Sequence, residues 1–378
     1  MGLSPFVKCI CPSCFEQIYL GECKIVSGKT SGVVLKEPKG PFARMYVEPL
    51  DGRKYTLEMA RRECTNCSYH LPYNIELVPS ITLVIVGDTF SGKSHYIAGL
   101  IQQFKEEWAA NAQGLVRMTC LTPEAEHKYI TEYYEPLFIE KRTLPPTQAA
   151  IREQAEPLIY KLVVSESRKH PATTYNLMIY DTAGEDFLSA RLIQFARFVL
   201  NTSALIFVAD PFAMIPLTND LPPTLQASLQ RMLNLAQRRR VAERFNEIID
   251  IFERYHGHTD GSSLPETPVA VMFSKSDLLK SMNPPPILRL LENPPYGGGL
   301  DLQDIEAVDR EVRNLLLHYR QGDILAATAR FKHVKFFATS ATGEPPDGNG
   351  NFTRVEPCRC LDPLLWILYR LEIIPSNF

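Results

Sequence analysis

The stretch GDTFSGKS, Gly87–Ser94, decides how the rest of the chain is interpreted. It follows the apolar run ITLVIV at 81–86 and precedes HYIAGLIQQFKEEW at 95–108, in which apolar residues recur at helical spacing. A strand, a glycine-bounded loop and a helix in this order match the pattern G-x-x-x-x-G-K-[ST] of phosphate-binding loops. Such a loop surrounds phosphate oxygens with backbone N–H groups, and the helix start adds its positive dipole end.

Two side chains of this loop carry specific expectations. Lys93 is expected to reach the β- and γ-phosphates, and the Ser94 hydroxyl is expected to ligate Mg²⁺. Glycines at both ends of the loop allow backbone angles that a Cβ would forbid. The remaining loop positions predicted to contact the phosphates are Gly87, Asp88, Ser91 and Gly92.

The composition is that of an ordinary globular chain. Its 378 residues are 45% hydrophobic and 22% charged, with a formal net charge of −3. No overall positive field would recruit nucleic acid or an anionic membrane surface, and the apolar runs are too short to span a membrane. The first residues, MGLSPFVKC, lack the apolar core of a signal peptide. We therefore expect a cytoplasmic protein with no membrane span and no nucleic-acid partner.

From residue 80 onward, apolar strand patterns alternate with helical patterns. This alternation predicts an α/β fold of the P-loop NTPase type, with a mostly parallel sheet covered by helices on both faces. Strands are predicted at 81–86, 157–165, 174–180, 204–209, 268–273 and 333–339. Helices are predicted at 93–108, 124–141, 187–200, 223–256, 301–331 and 360–372. Insertions are predicted near 111–150, 212–265 and 279–332.

The stretch NLMIYDTAGED places Asp181 at the end of a predicted strand and Gly184 three residues later. A carboxylate at that strand end can hold the Mg²⁺ shell, and a glycine N–H there can contact the γ-phosphate. D-x-x-G alone is a weak signal. Directly after an apolar strand and downstream of a phosphate loop, it strongly indicates a nucleotide site.

Two later strand ends indicate which base is bound. In VAVMFSKSD, the Asp277 carboxylate can accept hydrogen bonds from the N1–H and 2-amino groups of guanine, and the Lys275 stem would lie over the base. Adenine offers neither donor and would leave a buried carboxylate unpaired. In VKFFATSATG, backbone N–H groups of Ser340 and Ala341 are predicted to donate to guanine O6. These residues predict GTP and GDP as ligands.

The motifs GDTFSGKS, DTAG, SKSD and TSAT stand in one order, each at a predicted strand end. In this the chain resembles the Ras-like, TRAFAC-class GTPase superfamily over about residues 80–375. DTAGEDF, DPLLWIL and a cysteine-rich start make it most similar to bacterial double-GTPase-type domains of conflict or signalling gene clusters. The resemblance implies Mg²⁺-dependent GTP hydrolysis that serves as a regulatory switch read by a protein partner.

The chain departs from the family pattern at two positions. Ser274 stands where the family usually has Asn, whose longer side chain ties the base loop to the phosphate loop. Glu185 stands where Ras-type proteins have a Gln that orients the attacking water. The resemblance also implies a threonine that caps Mg²⁺, for which Thr143 and Thr147 are the candidates and Thr147 is favoured.

The motifs CPSC and CTNC form two C-x-x-C pairs among nine cysteines. Strand-like segments separate the pairs, which predicts a tetrahedral, structural Zn²⁺ site in a small β-rich module. A redox pair, buried free thiols, or a ligand role for Cys9 or Cys23 are the alternatives. Residues 1–79 are predicted to form a zinc ribbon-like module that folds separately from a GTPase domain at 80–378. The predicted ligands are Cys11, Cys14, Cys64 and Cys67.

Three other functions compete with a hydrolysing switch. A scaffold that holds GTP with little hydrolysis is favoured by Glu185 and Ser274. An ATP-using motor or kinase would share the phosphate loop, but SKSD argues against it. A nucleic-acid-binding zinc protein is disfavoured by the weak charge balance.

Overall fold

A seven-stranded sheet forms the centre of the chain from residue 80 onward. The computed structural model describes residues 8–27, 33–36, 45–50, 52–56, 59–88, 90–108, 116–145, 156–166, 171–182, 200–226, 241–256, 266–282, 288–294, 296 and 300–375. The strands of these residues are β1 (Lys8–Ile10), β2 (Gln17–Tyr19), β3 (Lys24–Ser27), β4 (Tyr46–Val47), β5 (Lys54–Tyr55), β6 (Ala60–Glu63), β7 (His70–Leu71), β8 (Ser80–Gly87), β9 (Val116–Cys120), β10 (Leu158–Val164), β11 (Thr173–Asp181), β12 (Ala204–Ala209), β13 (Val269–Phe273) and β14 (Val334–Ala338). The helices are α1 (Lys93–Gln103), α2 (Pro123–Tyr129), α3 (Ile215–Thr218), α4 (Val241–His256), α5 (Leu302–His318), α6 (Gly322–Thr328) and α7 (Asp362–Arg370).

The central sheet is mixed rather than wholly parallel. Its strand order is β14-β13-β12-β8-β11-β10-β9. The five strands from β14 to β11 run parallel, whereas β10 is antiparallel to both of its neighbours. The six predicted strands are present, each within one residue of its predicted ends. Strand β9 was not predicted. It lies inside the segment 111–150, which was predicted to be an insertion, and it pairs with β10.

Helices cover both faces of the sheet, which is why its central strands are almost entirely apolar. On one face Phe207 of β12 stacks on Phe245 of α4, with ring centroids 3.9 Å apart. On the other face Phe337 of β14 contacts Trp366 of α7 at 5.9 Å. Among the helices of the described residues, none has the length and apolar character that a bilayer crossing requires.

Several predicted helices change form along their length. A π-helical segment, Ile130–Ile139, continues α2 and contains Pro136, which has no N–H for an α-helical hydrogen bond. The predicted helix at 301–331 is two helices, α5 and α6, separated by a turn in which Arg320 has a φ of 55°. Residues 187–199 of another predicted helix lie outside the described residues.

The N-terminal strands form three small sheets, β1-β2, β3-β6-β7 and β4-β5. The turn between β1 and β2 and the segment after β7 contact the central sheet. The Tyr180 hydroxyl of β11 donates to the Pro12 carbonyl oxygen at 2.7 Å. Phe15 lies 5.3 Å from the Tyr180 ring and belongs to the core beneath α4. The buried side-chain amides of Asn74 and Asn176 exchange two hydrogen bonds, of 2.9 and 3.1 Å. Packing therefore crosses the predicted domain boundary near residue 79, and the separate folding of residues 1–79 stays a prediction.

Candidate functional site

Two glycines shape the loop between β8 and α1. A Cβ at Gly87 would lie 2.4 Å from the Val208 carbonyl oxygen, so no larger residue fits there. Gly92 has a φ of 93°, a left-handed conformation that favours glycine, immediately before α1. The Ser91 hydroxyl is buried and has no hydrogen-bond partner within the described part of the chain. A narrow loop with an unused buried hydroxyl suits a small polar ligand such as a phosphate group.

Lys93 is folded back over this loop. Its ammonium donates to the carbonyl oxygens of Gly87 at 2.9 Å and Asp88 at 2.8 Å, and the side chain is buried. A positive charge is thus held inside the loop, where the predicted phosphate contact requires it.

Ser94 and Asp181 meet, as predicted Mg²⁺ partners should. The Ser94 hydroxyl donates to Asp181 Oδ2 at 2.7 Å. Strands β8 and β11 are parallel neighbours with Asp181 opposite Ile85, so the carboxylate is carried to the sheet edge from which the loop leaves. A hydroxyl and a carboxylate are hard oxygen donors that suit Mg²⁺.

Tyr133 also reaches this carboxylate, a contact that the sequence analysis did not predict. Its hydroxyl donates to Asp181 Oδ2 at 3.3 Å. The helical pattern over 124–141 predicts only that such a residue is buried. The signal that could have found it is a tyrosine on the apolar face of a helix, a side chain whose hydroxyl needs a partner when buried.

Ser274 makes the tie that its short side chain was expected to weaken. Its hydroxyl donates to the Ser91 carbonyl oxygen of the phosphate loop at 2.7 Å. The two loops approach closely, since a Cβ at Gly92 would lie only 3.7 Å from the Ser274 Cβ. The bridge between the loop after β13 and the loop after β8 is therefore present with serine at position 274.

Lys275 connects the same two loops through its own side chain. Its ammonium lies 2.7 Å from Asp210 Oδ2 and 3.1 Å from the Phe90 carbonyl oxygen. The Lys275 backbone is left-handed, with a φ of 57°. These contacts place its stem along the phosphate loop, and its predicted position over a base stays a prediction.

Asp277 is buried and held by Ser340, whose hydroxyl donates to Asp277 Oδ1 at 2.6 Å. Burial raises the pKa of the Asp277 carboxyl, because the charged form loses its hydration. The Ser340 N–H donates to the Cys358 carbonyl oxygen at 3.0 Å. The predicted donation from this N–H to guanine O6 is therefore not open in this structure, and Ser340 contributes its hydroxyl instead. The corresponding role of the Ala341 N–H stays a prediction.

Three predicted positions, Gly184, Glu185 and Thr147, lie outside the described residues. The other threonine candidate, Thr143, is described, and its N–H donates to the Gly350 carbonyl oxygen at 2.9 Å. Next to it, the Leu144 N–H donates to Nε2 of His95 in α1 at 3.1 Å. The described contacts thus join the start of the predicted switch segment to α1 and to the loop that follows β14.

The four predicted metal ligands, Cys11, Cys14, Cys64 and Cys67, come together. Their sulfur atoms all lie within 4.8 Å of one another. Two of the separations are 3.7 Å, between Cys11 and Cys67, and 3.8 Å, between Cys14 and Cys64. A tetrahedron with zinc–sulfur bonds of about 2.3 Å has edges of about 3.8 Å, so this cluster could hold a metal ion.

The two cysteine pairs sit on matching turns. The Phe15 N–H donates to the Cys11 carbonyl oxygen and the Ser68 N–H to the Cys64 carbonyl oxygen, each at 3.0 Å. Phe15 and Ser68 both have a φ of 58°. Equal turns point both thiol pairs at one centre, from opposite sides.

Comparison with known proteins gives one sequence relative and several structural neighbours. No protein-family model matches the chain. A proposed ESX-1 scaffolding and assembly protein, SaeC, of Mycolicibacterium smegmatis (strain ATCC 700084 / mc(2)155) is 28% identical over 334 residues, 80% of this chain and 78% of the relative.

The structural neighbours are GTPase-type folds. The signal recognition particle receptor SRb-GTP/SRX complex of Chaetomium thermophilum contributes a chain at 11% identity and a TM-score of 0.30, covering 72% of this chain and 94% of that one. The S. cerevisiae Ski7 GTPase-like domain bound to GTP matches at 11% identity and a TM-score of 0.32, covering 79% of this chain and 52% of that one. At such TM-scores the function has to be argued from the site itself.

Proposed function

We propose that this protein binds GTP and GDP together with Mg²⁺ and hydrolyses GTP, as a regulatory switch read by a protein partner. The observation that carries the proposal is the 2.7 Å contact between Ser94 and Asp181. It joins the phosphate loop to the end of β11, on the sheet edge where β13 leads into Asp277. A phosphate cradle, a pair of hard oxygen donors and a buried carboxylate along one sheet edge suit a guanine nucleotide.

Each residue has a defined part in this proposal. Lys93 balances phosphate charge, and Ser94 and Asp181 hold the cation. Mg²⁺, when bound, neutralises charge that develops on the phosphate oxygens. Asp277 accepts from the guanine N1–H and 2-amino groups while the Ser340 hydroxyl fixes its orientation. The further assignments are Gly184 to the γ-phosphate, Glu185 to the attacking water, Thr147 to the Mg²⁺ cap and the four-cysteine cluster to a structural Zn²⁺.

The base assignment is tested with Asp277→Asn. In the purified wild-type protein with Mg²⁺, unlabelled GDP should displace labelled GDP at a concentration at least about 100-fold lower than the ADP concentration that does so. Asn donates where Asp accepts, so the variant should lose guanine binding by about 100-fold and bind a xanthine nucleotide better than the wild type does. Asp301→Asn, at the N-terminus of α5, is the matched control and should keep guanine preference. Equal displacement by ADP and GDP would rule the proposal out.

A nucleotide-holding scaffold is the second candidate. The relative is named for a role in scaffolding and assembly, and Glu185 replaces the glutamine that orients water in Ras-type proteins. Single-turnover hydrolysis separates the two functions. Tight GTP binding with no release of phosphate by the purified protein, alone or with a partner, would favour the scaffold.

A further inference from the structure

Tyr133 and Ser94 converge on one oxygen of Asp181. The Ser94 hydroxyl lies 2.7 Å from Oδ2 and the Tyr133 hydroxyl lies 3.3 Å from the same atom. The two donors come from different parts of the chain, the start of α1 and the π-helical segment after α2. The carboxylate is thus oriented by a donor that does not belong to the phosphate loop.

The ring of Tyr133 is fixed in place. The side chain is only 5% exposed, and Leu137, one turn later in the same segment, is fully buried. The Tyr133 ring stacks on the Tyr129 ring, with centroids 6.2 Å apart and planes 15° apart.

We infer that Tyr133 is a positioning residue for the Mg²⁺ site, acting by holding the Asp181 carboxylate in one orientation. The inference rests on the proposed nucleotide function. A Ser94 hydroxyl that ligates Mg²⁺ does so through an oxygen lone pair, and it can still donate its hydrogen to Asp181. Tyr133 adds a second donor to the Oδ2 atom of that carboxylate, and outer hydrogen bonds of this kind keep a metal-binding oxygen aligned.

The test is a Mg²⁺ titration of GDP binding by Tyr133→Phe, which keeps the ring and removes the hydroxyl. We expect the Mg²⁺ concentration at half-maximal binding to rise about tenfold, as when other outer partners of metal ligands are removed. GDP affinity at saturating Mg²⁺ should change by less than about threefold. Tyr129→Phe is the control, because its hydroxyl bonds the Ala98 carbonyl oxygen at 3.4 Å and not Asp181. It should leave the Mg²⁺ midpoint unchanged.

Three outcomes count against the inference. A Tyr133→Phe midpoint equal to that of the wild type removes Tyr133 from the Mg²⁺ site. A lower melting temperature without a shifted Mg²⁺ midpoint makes Tyr133 a packing residue only. Wild-type protein that binds no GDP at any Mg²⁺ concentration overturns the proposed function, and this inference with it. The wild-type arm therefore tells the two failures apart.

Discussion

At the scale of single residues, Ser274 joins the two loops of the site through one hydrogen bond to the Ser91 carbonyl oxygen. From the sequence alone, serine in place of asparagine predicts a lost contact between the two loops. The sequence shows the length of the side chain but not the distance that it has to bridge. The loops are close enough for serine to bridge them, because a Cβ at Gly92 would already be in van der Waals contact with Ser274. Lys93, Ser94 and Asp277 could be selected from local patterns at strand ends, and their roles toward a nucleotide stay predictions.

Ser274→Ala tests the bridge. The variant leaves a buried carbonyl oxygen without its donor, which costs about 1–3 kcal/mol. We expect GDP affinity to fall about tenfold, measured by displacement of labelled GDP. Ser203→Ala is the matched control, because Ser203 accepts from the Thr82 N–H at 3.0 Å beside the amino end of β12. That variant should lose stability but keep GDP affinity, and an equal loss of affinity in both would show that the effect is not local.

At the scale of elements, the central strands were predictable and the sheet edge was not. Strands β8, β12 and β13 are continuous apolar runs, because both faces are covered. Strand β9, VRMTC, has only its alternate residues Val116 and Met118 buried. Five residues of mixed character resemble a loop unless the neighbouring strand is already known. The same limit applies to the contact of α1 with Leu144, which depends on tertiary packing.

The His95–Leu144 contact predicts a pH dependence of stability. Burial, and then the charge of Lys275, lower the pKa of His95 from 6.5 to about 4, so the neutral ring accepts the Leu144 N–H. As the pH falls below about 6.5, the unfolded chain takes up the proton first. The free energy of unfolding should therefore fall by about 2 kcal/mol between pH 7 and pH 5 from this group. Above pH 6.5 its contribution is fully present.

His95→Gln should abolish that portion of the pH dependence, since glutamine can accept the N–H without titrating. Denaturant unfolding at pH 7 and pH 5 measures it. The exposed His70, changed to glutamine, serves as the control and should keep the wild-type loss. Equal losses in the wild type and in His95→Gln would contradict the assignment.

At the scale of the whole molecule, the cysteine cluster is tied to the strand that ends at Asp181. Pro12 lies between Cys11 and Cys14 of the cluster, and its carbonyl oxygen accepts a hydrogen bond from Tyr180, the residue before Asp181. The paired C-x-x-C motifs predicted the cluster well, because their chemistry is local. They did not predict where it docks, since that depends on Phe15 and Tyr180, two aromatic residues without a distinctive pattern.

Phe15→Ala tests this connection. Removing a large ring from a shared core should lower the free energy of unfolding of the entire chain by about 3–4 kcal/mol. Because the core is shared, removing the metal proposed for the cysteine cluster with a chelator should likewise lower the melting temperature of residues 80–378. Ile10→Ala, at an exposed position of β1, should have little effect. If Phe15→Ala melts the cysteine region alone and leaves the GDP-bound transition in place, the two regions fold separately after all.

The paired amides of Asn74 and Asn176 have a consequence for how such chains can evolve. Each asparagine satisfies the other, and both are buried. A change at one position leaves the other amide buried without a hydrogen-bond partner, which lowers stability. A coordinated change at both positions can leave the stability unchanged. The two positions should therefore vary together among relatives. An N-terminal region transferred from one distant relative to another would therefore lack the residue of the central sheet that satisfies its buried amide.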